Sequence, residues 1–276
     1  MKSGTTSLHY YLRQHPSIQM PAMKETNFFA PPEDVPYYRG TKLIPTLDRY
    51  ERLFNAAFTA RGEASPSYTE YPRRRHVPER IKHTVPDAKL IYLVRDPIAR
   101  VVSHYQHRVA VENERRSIRE ALHDLADPCS PYICPSFYAS QLTRYLPHFP
   151  QESILVVDHA DLFAHRDATL REIFAFLGVD DSFSSPQFDE EMNTGKELRT
   201  YSEFVVLLQR ARTSPLQRLP RGLRVRLRRG VERVVSKPLM TQTLSDDLRD
   251  RLHDLYAQDA MRLREVTGKT FSTWSV

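Results

Sequence analysis

The segment Lys89-Leu-Ile-Tyr-Leu-Val94 is apolar on both faces and is bounded by Pro86-Asp87 and Asp96-Pro97. A strand with no polar face has to be covered above and below, as in a parallel sheet with helices on both sides. Ser153 to Asp158 (SILVVD) repeats the pattern, and Ser17 to Met20 and Thr59 to Glu63 are shorter strand candidates. Helical patterns separate them. Thr6 to Gln14 puts Leu8, Tyr11 and Leu12 on one face before Pro16. Asp96-Pro97 supplies an N-cap and a first-turn proline for a helix reaching about Asn113. Ser117-Ile-Arg-Glu120 is a capping box, Ala168 to Leu177 is amphipathic and stops at Gly178, and Ser245 to about Val266 predicts a closing helix. This alternation predicts an α/β fold, a central parallel sheet flanked by helices on both faces. No linker divides residues 1–276, so we expect one domain.

Charge narrows the partner. The formal net charge is +6, yet the window from Arg210 to Lys237 holds ten basic residues against one acid, Glu232, so it carries +9 and the remainder −3. The bulk of the chain is therefore no polyanion binder, and no specific nucleic-acid partner is expected. Leu216, Leu219, Leu223, Leu227, Val231 and Val234 recur every three or four residues, which predicts a basic amphipathic helical segment at about 210–238. It reads as a solvated face over the core, or as a contact for an acidic acceptor or a membrane surface. No apolar run approaches the ~18 residues of a membrane span, and no basic and apolar leader opens the chain, so a cytoplasmic location is expected. Two cysteines, Cys129 and Cys134, are too few for a disulfide framework or a four-ligand zinc site and read as free thiols.

Two segments carry chemistry. Lys2-Ser3-Gly4-Thr5-Thr6-Ser7 leads directly into the first helix, so that several backbone N–H groups and the positive end of the helix dipole converge beside a lysine. That is an anion cradle, although such a short string also arises as an ordinary loop. It differs from a Walker loop, in which Gly-Lys-Ser/Thr closes the turn. The second segment runs from Arg95 through Asp-Pro-Ile-Ala-Arg100 to Ser103 and Tyr105. Arg95 falls at the carboxyl end of the apolar strand, where open α/β sheets bind ligands. Arg100, Ser103 and His107 share one helical face by spacing, and an arginine fork with a serine hydroxyl makes a phosphate clamp. An Arg-Asp surface pair and a solvated serine would give the same residues.

Together these segments resemble the sulfotransferases that use 3′-phosphoadenosine-5′-phosphosulfate (PAPS). Lys2 to Leu8 is similar to that family's K-[ST]-G-T-[TS]-x-L loop, and Arg95 to Tyr105 to its R-[DN]-P-x-x-R-x-x-S-x-[YFH] segment. Lys24-Glu-Thr-Asn-Phe-Phe29 and Gly62-Glu-Ala-Ser-Pro-Ser-Tyr68 resemble stretches of its carbohydrate-type branch. Tyr138 to Leu142, Phe174 to Gly178 and the tail near Trp274 follow the family's order. The resemblance implies a P-loop-like sheet and PAPS as co-substrate, with no metal required. It also implies sulfuryl transfer to a hydroxyl or amine of a small-molecule, lipid or glycan acceptor. In the implied site, Lys2, Ser3, Gly4, Thr5, Thr6 and Ser7 hold the phosphosulfate, while Arg95 and Ser103 hold the 3′-phosphate. Lys2 is also catalytic, Glu25 is the general base with Lys24 beside it, and Lys196 of Asn193-Thr-Gly-Lys196 closes over the nucleotide. Members carry an apolar strand before the loop lysine, whereas only Met1 precedes Lys2, so residues upstream are expected. A kinase-like phosphotransferase and a non-enzymatic binder of acidic polymers are the rival readings.

Overall fold

The computed structural model describes residues 2–30, 44–112, 114–190, 199–201, 236–238 and 243–276, of which 199–201 and 236–238 are described in backbone only. The helix predicted after the N-terminal loop is α1 (Thr5–Leu12). It leads to a short strand, β1 (Ile18–Gln19), which pairs in parallel with β2 (Ala60–Arg61). The apolar run forms β3 (Leu90–Val94), parallel to β4 (Ile154–Asp158) in the register Leu90↔Ile154 to Val94↔Asp158. An antiparallel pair, Arg199–Tyr201 with Ser236–Pro238, completes the described strands. The basic segment at about 210–238 otherwise lies outside the described residues.

Alternation along β3 and β4 explains why both faces are apolar. Leu93 and its partner Val157 point into one core with Leu8, Tyr11 and Leu12 of α1 and with Leu170, Ile173 and Phe174 of the helix Arg166–Leu177. Val94 and Val156 point the other way. There they meet Tyr138, Ala139 and Leu142, together with Ala260 and Leu263 of the closing helix (Asp246–Thr267) and the stacked rings of Phe271 and Trp274. Burying each such side chain contributes about 1.5–3 kcal/mol, so two apolar faces on one strand pin it between layers. Trp274 Nε1 donates to Asp158 Oδ2 at 3.1 Å, satisfying both polar groups where the tail crosses the end of β4.

Among the described strands, β3 has a neighbour on one side only. Its other side faces a cavity of about 520 Å³ that separates it from β2, with Leu8, Ile18, Met20, Leu90, Tyr92 and Glu63 among the walls. The N–H groups of Ala60 and Gly62 donate back to Ser17 and Gln19 at 3.0 Å each. By strand alternation, the main-chain groups of Arg61 and Glu63 are directed away from β1, towards this cleft.

The capping box at Ser117 forms, with both reciprocal bonds to Glu120. Gly178 ends its helix in the left-handed conformation. Helix α2 (Pro97–His107) starts on the Asp96 cap, whose side chain accepts from Ala99 N at 2.7 Å, and continues as a π-helical turn over Arg108–Glu112. Both cysteines are free, Cys129 exposed and Cys134 buried, and burial pushes the Cys134 thiol up to about 12. No helix among the described residues is long and apolar enough to cross a membrane.

Candidate active site

The loop before α1 turns through two left-handed residues, Lys2 (φ 70°) and Gly4 (φ 92°). Gly4 is the helix N-cap, and a Cβ there would stand 3.3 Å from both Leu162 Cδ2 and Phe163 Cε2. Only glycine accepts both the backbone sign and that contact. The first intrahelical bond of α1 is made by Leu8 N–H to the Gly4 carbonyl at 3.0 Å, so the N–H groups of Thr5 and Thr6 precede the helix's own ladder. Ser3 and Ser7 are buried, whereas Thr5 and Thr6 keep partly accessible side chains.

Positive charge collects at this loop. Arg95, the residue after β3, donates from Nη1 to the carbonyl of Lys2 at 3.2 Å. Burial lowers the pKa of Lys2, and the nearby charges of Arg95 and Lys24 lower it further. Burial likewise lowers that of Arg95. A group of cations that repel one another beside a helix N-terminus is stabilised by an anion placed among them. The residues present thus fit a phosphosulfate group.

Glu25 reaches the loop through its neighbour. Lys24 Nζ donates to Thr6 Oγ1 at 3.0 Å and to Glu25 Oε1 at 3.1 Å, and the Glu25 side chain remains 43% exposed. The turn that holds it is strained. Glu25 (φ 64°) and Asn27 (φ 51°) both occupy left-handed backbone, a cost of about 1–3 kcal/mol each that surrounding structure has to offset. Asparagine tolerates this conformation far better than glutamate.

Helix α2 corrects one expectation. Arg100 does not share an open face with Ser103 and His107. It is 1% exposed, donating to the Tyr132 carbonyl at 2.6 Å and Ser136 Oγ at 3.2 Å, with His104 Nδ1 3.0 Å from its other nitrogen. Its fork is occupied by protein groups, which makes it a core tie. Ser103 and His107, one turn apart, remain partly accessible. His107 lies close enough to Lys2 and Glu25 to feel both charges, and burial, with Lys2 adding to it, depresses its pKa to about 4. His9 and His159 are also held at about 4, by burial first and then by Lys24 and Arg95 respectively. Lys196 lies outside the described residues.

The stretch Gly62 to Tyr68 held more than its resemblance suggested. Glu63 accepts hydrogen bonds from Tyr68 OH (2.5 Å) and Ser65 Oγ (2.8 Å), and burial raises its carboxyl pKa against the pull of those bonds. The signal was an acid set two and five residues before two hydroxyls. Among the described residues, no three His, Cys, Asp or Glu side chains gather as metal ligands.

Comparison with known proteins identifies the family. A family model described as "Sulfotransferase family" matches residues 1–183. The chain is 27% identical over 195 residues to human bifunctional heparan sulfate N-deacetylase/N-sulfotransferase 2, covering 64% of this chain and 21% of that protein. It is 31% identical over 183 residues to mouse heparan sulfate glucosamine 3-O-sulfotransferase 3B1, covering 64% of this chain and 44% of that one. The chain therefore spans less than half the length of either relative. A crystal structure of a sulfotransferase from Alicyclobacillus acidocaldarius is similar throughout, with a TM-score of 0.72 at 27% identity over 100% of this chain and 95% of that one.

Proposed function

The chain belongs to the sulfotransferase family, and from that premise we propose that it moves a sulfuryl group from PAPS to a hydroxyl or amine of a glycan. One observation carries this reading: Lys2, Arg95 and Lys24 converge on the Gly4-capped start of α1, and Lys24 ties Glu25 to the same loop. PAPS supplies, when bound, an activated sulfuryl group on a phosphate leaving group. The N–H groups of Gly4, Thr5 and Thr6, the accessible hydroxyls and the buried Ser3 and Ser7 form the cradle for the phosphosulfate. Lys2 offsets negative charge that grows on the departing phosphate. Arg95 and Ser103 hold the 3′-phosphate, and Lys196 is the basic residue we assign to cover the nucleotide. Glu25 takes the proton from the acceptor, with Lys24 fixing its carboxylate. The relatives' names point to heparan sulfate, which makes a glycan amine or hydroxyl the first acceptor class to test.

We read the fold as one domain with a P-loop-like sheet. The cleft between β2 and β3, with a parallel pair on each side and Lys2 tied to the residue that follows β3, suits a further apolar strand leading into the loop.

The test is incubation with PAPS labelled in its sulfur, desulfated heparan sulfate and a mixed metabolite extract, followed by mass spectrometry. A sulfate-sized gain on an acceptor, persisting in EDTA, is expected because side-chain cations supply the charge stabilisation. Abolition by EDTA with recovery on Mg²⁺ would favour phosphotransfer chemistry. Salt-sensitive polymer binding with no turnover would leave only a binder.

A further inference from the structure

Glu63 is joined to the turn on which Glu25 stands by two hydroxyls, those of Ser65 and Tyr68. Each of its oxygens takes the proton of one hydroxyl: Oε1 from Tyr68 at 2.5 Å and Oε2 from Ser65 at 2.8 Å. Once those protons are committed, each hydroxyl has only lone pairs to offer. Both are used by main-chain donors of the turn. Asn27 N–H donates to Ser65 Oγ at 3.1 Å, and Phe29 N–H donates to Tyr68 OH at 3.3 Å. Asn27 in turn donates from Nδ2 to the Glu25 carbonyl at 2.9 Å, and Ser67 Oγ donates to Asn27 Oδ1 at 2.5 Å. Thr26 is completely buried between them, with its hydroxyl accepting from Phe28 N–H at 3.3 Å.

We propose that Glu63 is a positioning residue, whose carboxylate, through Ser65 and Tyr68, holds the turn in which Glu25 and Asn27 are left-handed and so aims Glu25 at Lys24 and the loop. The proposal rests on the reading of Glu25 as the base. A carboxylate is needed at position 63 because it only accepts. An amide would present one N–H₂ group, which would donate to a hydroxyl lone pair and compete with the main-chain N–H for it. One arm of the brace would then fail while the volume stays the same.

The test is a double-mutant cycle between Glu63→Gln and Glu25→Gln. Release of the bisphosphate product from PAPS in the presence of desulfated heparan sulfate gives turnover, and calorimetry gives the affinity for that product. Displacing a reacting group by about an ångström can cost on the order of a hundredfold. Glu63→Gln alone is therefore expected to lower kcat by roughly ten- to a hundredfold, with product affinity changed less than about twofold. In the Glu25→Gln background the same change should cost less than about twofold more, because there is no base left to position. Losses that multiply would show Glu63 acting independently of Glu25 and would overturn the proposal. Near-normal turnover of Glu25→Gln by itself would remove the base, and this proposal with it, and is a separate result. If Glu63→Gln does not fold, Ser65→Ala cuts only the Asn27 arm and takes its place in the cycle with the same expected non-additivity.

Discussion

The loop Lys2 to Ser7 and the turn Glu25 to Asn27 both use left-handed backbone to present a charged side chain to the same place, but they are held in different ways. Shape holds the loop: Gly4 lies under Leu162 and Phe163, and Arg95 grips the carbonyl of Lys2. The turn is held by hydrogen bonds that occupy the N–H groups of Asn27, Phe28 and Phe29. The loop thus keeps its main-chain donors for a ligand, whereas the turn gives its own to the protein and presents one carboxylate, paired with Lys24. Damage to the loop should weaken donor binding, and damage to the turn should slow the chemical step.

The largest expected effect tests the second half of that contrast. Glu25→Gln keeps the size of the side chain and removes its basicity, so kcat should fall by roughly 10² to 10⁴ while product affinity stays constant. Single-turnover kinetics beside calorimetry would check both quantities. An equal loss in affinity would mean that the turn also builds the donor pocket, and the contrast would break.

Next come Arg95 and Ser103. If both bind the 3′-phosphate, PAPS should be preferred over its analogue lacking that phosphate by about 2–4 kcal/mol. Ser103→Ala is the cleaner probe, because Arg95 also braces Lys2. Arg95→Ala is expected to erase most of the preference and in addition weaken both nucleotides. Weakening of both with the preference intact would reduce Arg95 to a brace.

Those two residues also show how far the sequence could be read. The double-faced apolar run at Lys89 to Val94 dictated a covered parallel strand because burial on both faces has few other solutions, and that strand fixes where Arg95 emerges. Arg100 misled, because helical spacing reports which residues share a face and says nothing of which polar groups wait inside it. Only the fold brings Tyr132 and Ser136 to its guanidinium. The Glu63 brace was out of reach for a similar reason: the bonds that carry it from Ser65 and Tyr68 to the turn join positions 38 and 39 residues apart, through hydroxyls with no periodic signature. His9 and His159 stand in no motif of the sequence, and only the fold brings cations beside them and beside His107.

A smaller effect is expected at Gly4. Alanine there would hold φ 92° at a cost of about 1–2 kcal/mol and press its Cβ on Leu162 and Phe163. Donor affinity should fall several-fold, with kcat for bound donor nearly unchanged. A fall in kcat alone would reverse the assignment of the loop to binding.

The smallest effect, and the one that joins the two regions, is on stability against pH. His9, His107 and His159 each sit at about 4 in the folded chain against an ordinary value of 6.5. Burial and the cations around the loop refuse them a proton that the unfolded chain accepts. Between those values the unfolded state binds more protons, so their contribution is complete above about pH 6.5 and is lost as the pH falls towards 4. His104, held far down by burial and by Arg100, acts in the same direction. Glu63 and Asp158, whose carboxyls burial raises, act in the opposite direction. Tm should therefore be a few degrees lower at pH 5 than at pH 7, where histidine titration outweighs that of two carboxyls. Saturation with the bisphosphate product puts negative charge beside Lys2 and Arg95, which eases protonation of His107 and His159. It should narrow the difference in Tm between the two pH values, and binding near pH 5 should take up protons, measurable as a buffer-dependent heat. A Tm difference unchanged by the bisphosphate would mean that the anion binds away from Lys2 and Arg95, and the loop would lose the role that sets it apart from the turn.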